Sequence, residues 1–299
     1  MQILRGRHIG VRELAISPDS RYVAAAGGWG LNVWDLHDPD AEPTLHTGGS
    51  SAIRFVSDGR LFSASRAGWR LHDRESGRTV SWQRTNGDGV TIPATSVSPC
   101  GQFVLDFDPT GTPHYWRLNE DGLGLHRELV WSRPTGTWAA GFVSAPDGER
   151  FATHLWMPGQ TPRPSVIHRM SDGEPLARLE GQGAGSNYFF RQFTPDGGKF
   201  LAGAKSDIYE WDARAGGPGR LAVRQPGGRW FRGVAVHPDG TTLAGVTSDG
   251  VSLFDLASGG LLRTYDWQSS NMRCVAFTPD GTRCAVAEVG NNVLLFDVE

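Results

Sequence analysis

The chain has 299 residues, 40 of them Gly and 18 Pro, with 20% charged residues and a formal net charge of -3. That length admits two average domains or one large all-β domain. The near-neutral charge speaks against a surface built to neutralise nucleic-acid phosphates, and no apolar run approaches the ~20 residues that a membrane span needs.

The chain begins Met1-Gln2-Ile3-Leu4-Arg5-Gly6, which has neither a hydrophobic core segment nor a cleavage site, so an unexported, cytoplasmic protein is expected. Cys100, Cys274 and Cys284 are too few and too scattered for a disulfide framework. Buried thiols in a reducing cytosol are the expectation. Lys occurs only at Lys199 and Lys205, so nearly all positive charge is carried by Arg.

After the opening segment a short alternating strand, Leu14-Ala15-Ile16, runs into the turn Ser17-Pro18-Asp19-Ser20. The same turn recurs as Val56-Ser57-Asp58-Gly59, Ser98-Pro99-Cys100-Gly101, Ala145-Pro146-Asp147-Gly148, Thr194-Pro195-Asp196-Gly197, His237-Pro238-Asp239-Gly240 and Thr278-Pro279-Asp280-Gly281, at intervals of 39 to 49 residues. Pro presets φ at the second turn position and Gly tolerates positive φ at the last, so each tetrapeptide closes a hairpin for a local reason. An Ala- and Val-rich strand, a second turn and a third strand follow. The third strands end Val33-Trp34-Asp35, Leu71-His72-Asp73, Tyr115-Trp116-Arg117, Ile167-His168-Arg169, Glu210-Trp211-Asp212, Leu253-Phe254-Asp255 and Leu295-Phe296-Asp297. If the last hairpin turns at Pro279 to Thr282, Phe277 faces Cys284 and Cys274 points to the other side of the sheet.

Seven copies in register resemble the WD40-repeat family over essentially the whole chain, with Trp34-Asp35 and Trp211-Asp212 as the literal signature. The resemblance implies an all-β fold: a seven-bladed β-propeller of four-stranded antiparallel blades, forming a single domain over 1–299. Six repeats carry a fourth strand, such as Thr79 to Trp82 or Leu261 to Tyr265, but the seventh stops at Glu299 without one. The N-terminal strand Met1 to Arg5 is therefore expected to pair with the last blade and close the ring. The chain departs from the family in its polar links: Gly6-Arg7-His8 has no Asp in the turn Gly27-Gly28-Trp29-Gly30 to receive the His. Blade stability is accordingly expected to rest on apolar packing between sheets.

No catalytic or phosphate-binding signature is present, and no catalytic residue, metal site or cofactor is assigned. The Gly-rich stretch Gly181 to Gly185 lacks a following Lys and reads as a connection between blades. Asp106-Phe107-Asp108-Pro109-Thr110-Gly111 resembles half of a calcium loop, but Arg117 occupies the position of the closing Glu. The nine His have no metal-ligand spacing.

Recognition is left to the surface. Arg12, Arg232 and Arg273 each lie six residues before the turn Pro, in repeats one, six and seven, which become neighbours once the ring closes. Guanidinium groups on one arc of the channel face suit an acidic or phosphorylated segment through bidentate hydrogen bonds. Ordinary solvated positions are the alternative. Eight of the eleven Trp lie away from the signature position, and Trp29, Trp138, Trp156 and Trp230 fall in loops expected on the same face. Exposed Trp and Arg carry much of the binding energy at protein interfaces, although each Trp has packing under a Gly-rich loop as its alternative. Trp156-Met157-Pro158 stands out because the segment Leu155 to Pro164 is long.

These readings converge on a non-catalytic interaction scaffold, a monomeric propeller binding a protein or peptide partner, with no nucleic-acid or membrane partner. The other class is an enzyme or a small-molecule or metal-binding sensor that uses the central channel.

Overall fold

The chemistry of the repeated turn sets the register of everything that follows. In the computed structural model, which describes residues 1–7, 9–47, 49–50, 52–65, 68–73, 78–83, 91–108, 112–121, 124–133, 138–156, 165–181, 190–266, 271–288 and 292–298, each turn Asp works as a short-range acceptor. Asp19, Asp58, Asp147, Asp196, Asp239 and Asp280 each accept the backbone N–H two residues ahead, at 2.7 to 3.1 Å. The hydroxyls of Ser17, Thr194 and Thr278 donate to the same carboxylates. In the third repeat Cys100 stands in place of the Asp, its Sγ 3.2 Å from Ser98 Oγ. Gly148 at φ +71° and Gly281 at φ +76° show why the fourth turn position takes Gly.

Seven antiparallel sheets result. Their innermost strands are Val11–Ile16, Ala52–Phe55, Thr91–Val97, Trp138–Ser144, Phe190–Phe193, Gly233–Val236 and Met272–Phe277, one for each of blades 1 to 7. The expected register of the last hairpin is observed, with Phe277 opposite Cys284. The N-terminal strand Gln2–Arg5 pairs antiparallel with Asn292–Asp297, Leu4 opposite Val293, and supplies the outer strand of blade 7.

Ring closure is written in the packing. Seven apolar clusters occur among the described residues, and each is shared by two consecutive blades. One of them joins Val293 and Leu295 of blade 7 and Leu4 of the N-terminal strand to Val11, Val23 and Trp34 of blade 1. Leu4 is fully buried there, a contribution of roughly 2 kcal/mol that holds the N-terminal strand in place.

The signature Trp has a physical role in this arrangement. Trp34 Nε1 donates to Arg5 O at 3.0 Å and Trp211 Nε1 donates to Glu180 O at 2.8 Å, so each ring ties its blade to the outer strand of the preceding one. Where His replaces Trp the link turns inward: His72 bonds Ser63 Oγ at 2.9 Å and Thr79 Oγ1 at 3.1 Å, and His168 bonds Thr153 Oγ1 at 2.9 Å. Burial lowers the His168 pKa, favouring the neutral ring that such bonds need.

Four features differ from the sequence reading. The third strand of blade 3 does not end at Arg117 but continues as Pro113–Asp121, with an equally long partner Gly124–Ser132. Blade 4 gains a fifth, parallel strand, Gly217–Pro218, beside Pro175–Glu180. Cys100 is exposed, because its turn position faces solvent, whereas Cys284 is buried and Cys274 partly so; all three are free thiols. Asp106 and Phe107, expected in a turn, instead end the strand Phe103–Phe107, where Asp106 accepts Trp116 Nε1 at 2.8 Å; 109–111 lie outside the described residues. Among the described residues no helix is long and apolar enough to cross a membrane.

Candidate functional site

The spacing that singled out Arg12, Arg232 and Arg273 has a backbone cause. At the start of the inner strand of blade 1 the ladder slips by one residue: Val11 pairs with Gly27 and Glu13 with Ala26, leaving Arg12 as the extra residue. Met272 pairs with Glu288 and Cys274 with Ala287, leaving Arg273. In blade 6 Gly233 pairs with Val246 while the Arg232 N–H also bonds Val246 O, at 2.8 Å. All three arginines thus occupy the additional position of a β-bulge, a device that re-aims a side chain away from the pleat. Blade 4 carries Ala140 at the same slip.

The bulges bring the three guanidinium groups around one basin of about 650 Å³, lined also by Arg191 and Glu13. Gly233 is required for this proximity, since a Cβ on it would lie 2.7 Å from Arg273 O on the next blade. Arg12, Arg232 and Arg273 are exposed. Among the described residues Arg12 and Arg273 make no hydrogen bond or ion pair, and Arg232 makes one long bond, 3.5 Å to Asn271 Oδ1. Arg12 and Arg273 are therefore left without an ion-pair partner among the described residues, although Glu13 lines the same basin.

Glu13 and Arg191 were not picked out by the sequence reading. Glu13 sits next to a bulge residue, its carboxylate accepting the Ile53 N–H of blade 2 at 3.0 Å. Burial pushes its pKa up to about 7, against the opposing pull of that N–H and of the Arg54 charge. Burial likewise pushes the nearby Cys274 thiol up to about 12, with the Glu13 charge adding to the effect. Arg191 lies four residues before its turn Pro, where five other blades carry Leu14, Ile53, Phe142, Val234 and Val275. The third blade carries Thr95 there, and a lone charge in a layer apolar in those five blades was the signal that could have found it.

Two of the four tryptophans border this basin. Trp29, 69% exposed, occupies the turn after Tyr22–Gly27. Its N–H bonds Ile9 O and its ring passes over Gly10, while the adjacent Gly28 lies beside the Arg12 guanidinium. Trp230, 55% exposed, shares a smaller hollow with Arg229 and Arg232 and has Lys205 Nζ 5.8 Å from its ring centre. The resulting order along the face is Trp230, Arg232, Arg273, Arg12, Trp29. Trp138 and Trp156 are not loop residues: they end the strands Trp138–Ser144 and Arg150–Trp156 and pair with each other across the ladder, because the hairpin extends further than the apolar pattern suggested. Their backbones are described and their side chains are not; 157–164 lie outside the described residues. Among the described residues no cluster of His, Cys, Asp and Glu could hold a metal ion.

Comparison with known proteins agrees with this architecture. No protein-family model matches the chain. The β-propeller domain of Cps50 (Swd1) from Myceliophteria thermophila superimposes with a TM-score of 0.77 over 100% of both chains, at 14% sequence identity, a likeness of fold. The target of rapamycin complex subunit wat1 of Schizosaccharomyces pombe is 24% identical over 202 residues, 64% of this chain. The match spans 52% of that relative's length.

Proposed function

We propose that this β-propeller is a non-catalytic interaction scaffold, one cytoplasmic, monomeric domain over 1–299, which captures a protein or peptide segment on the channel face of blades 6, 7 and 1. The observation that carries the reading is the set of three exposed bulge arginines around one basin, without acidic partners among the described residues and flanked by two exposed tryptophans. Guanidinium groups so placed favour a segment bearing carboxylates or phosphates, and the tryptophans offer it flat apolar contact at small entropic cost. The rigid ring beneath adds little ordering cost on binding. That wat1 is a complex subunit supports a role within a protein assembly.

The test is the triple variant Arg12→Glu, Arg232→Glu, Arg273→Glu, compared with the parent for capture from the native cell and for retention on immobilised acidic and phosphoserine peptides. Capture is expected to disappear while thermal unfolding stays nearly unchanged, since among the described residues the three side chains make one long hydrogen bond, Arg232 to Asn271. Unaltered capture would remove the arc from the account.

A further inference from the structure

Three residues before each turn position the inner strands carry Ala15, Arg54, Ser96, Val143, Gln192, Ala235 and Ala276. Five of these are small or apolar. The two long polar ones, Arg54 and Gln192, belong to blades 2 and 5, on opposite sides of a seven-membered ring, and both line an inner cavity of about 780 Å³. The cavity shares Glu13, Leu14 and Arg191 with the arginine-rimmed basin above it, which makes the basin its mouth.

Polar side chains in this space lack partners among the described residues. Arg54 Nη1 bonds Val97 O at 3.2 Å, and burial lowers its pKa, the mark of a cation short of compensation. Glu13 is the acid beside it, and burial favours the uncharged form of that carboxyl. Gln192 Nε2 and Thr95 Oγ1, which line the same cavity, are buried and have no hydrogen-bond partner among the described residues. A buried donor left unmet is costly, and a buried guanidinium is satisfied best by an anion that accepts two of its N–H groups.

We infer that the channel is a binding site for a small oxyanion, a carboxylate or a phosphate, held between Arg54 and Gln192 and admitted through the arginine-lined mouth. The mouth then acts as an electrostatic funnel, raising the local anion concentration, and the apolar wall of Phe142, Val143 and Phe193 gives room to the body of an organic acid.

Isothermal titration with inorganic phosphate, acetate and succinate, at fixed ionic strength, tests the site on the purified full chain. Saturable 1:1 binding of phosphate or of a carboxylate supports it, and which of them binds tells the two sources apart. Arg54→Met is expected to weaken that binding by about tenfold or more and Gln192→Leu by several-fold, while Arg178→Ala, at an exposed position of the outer strand Pro175–Glu180, changes it by about twofold at most. In anion-free buffer Arg54→Met should unfold at the parent's temperature or above it, as expected when an undercompensated buried charge is replaced by an apolar chain. If Arg54→Met does not fold, Gln192→Leu decides. Absence of saturable binding for all three anions up to about 10 mM, where a weak site would fill, overturns the proposal. So does binding that survives both channel variants unchanged.

Discussion

The two faces of the ring use charge in opposite ways. On the turn face each Asp is consumed locally, and longer side chains reach from one hairpin to the next. Arg150 donates to Gly197 O at 2.9 Å and to Ala213 O at 3.2 Å, His237 Nε2 bonds Gly281 O at 2.9 Å, and the Asp280 N–H reaches Ser20 Oγ across the ring seam. On the mouth face Arg12 and Arg273 have no such partners among the described residues, and Trp29 and Trp230 stand in solvent. Charge on the first face is structure; on the second, Arg229 pairs with Asp249 and Arg224 with Asp207, while Arg12 and Arg273 are left to meet something else.

The sharpest way to break this comparison is to remove one arginine from each face. Arg150 is nearly buried, with its Nη2 2.6 Å from Asp147 Oδ2. Arg150→Met leaves that carboxylate and two carbonyls of the next blade without their donor, and is expected to cost about 2 to 4 kcal/mol, read from chemical-denaturation midpoints. Arg273→Met should stay within about 0.5 kcal/mol of the parent, as surface changes do. Comparable losses at the two positions would mean that the mouth arginines are structural after all.

Glu13 is where the mouth departs from its own rule, because here a charge opposes folding. Arg54 from blade 2, Cys274 and Arg273 from blade 7 and Arg12 on its own strand surround it, yet its pKa rises from 4.5 to about 7. Between those values the native carboxyl keeps a proton that the unfolded chain has released. Its stabilising effect is therefore full at acid pH and is lost as pH rises through about 7, a swing of about 3 kcal/mol at most. Glu13→Gln keeps the oxygen that accepts the Ile53 N–H and cannot ionise. It is expected to be more stable than the parent at pH 8 and equal to it near pH 4.5, in denaturation midpoints followed across that range. A difference that does not vary with pH would show that the carboxyl titrates normally.

How much of this was legible in the sequence follows from where each residue's partner lies. The turn tetrapeptide works within a few residues, so seven copies revealed the blades, the Phe277–Cys284 register and the strand at Met1 to Arg5 that lacked a sheet. The arginine arc was legible because six residues before the turn is the bulge, a backbone position fixed by the same hairpin. Glu13, Arg54 and Arg191 were not legible, because alternation shows that a strand has two faces without showing which one lines the channel or what stands across it. Trp138 and Trp156 were placed in loops because strand ends follow from ladder hydrogen bonds, which residue type only weakly reports. Cys100 was expected inside, although its place in the third turn matches that of the solvent-facing Asp in six others.

The smallest expected effect on stability is also the one that speaks most directly to the mouth face. Trp29→Ala with Trp230→Ala removes two large rings that are mostly in solvent. Trp29 packs over a glycine and Trp230 lies near one lysine, so the pair should cost less than about 1 kcal/mol together. If the face is an interface, the same change should weaken partner capture by more than about tenfold, because exposed aromatic rings contribute little to a fold and much to a contact. Scanning calorimetry and capture on one protein preparation read both quantities. A large drop in unfolding temperature with capture intact would reverse the assignment, making the two rings covers for the glycine turns beneath them and leaving the arginines alone to recognise a partner.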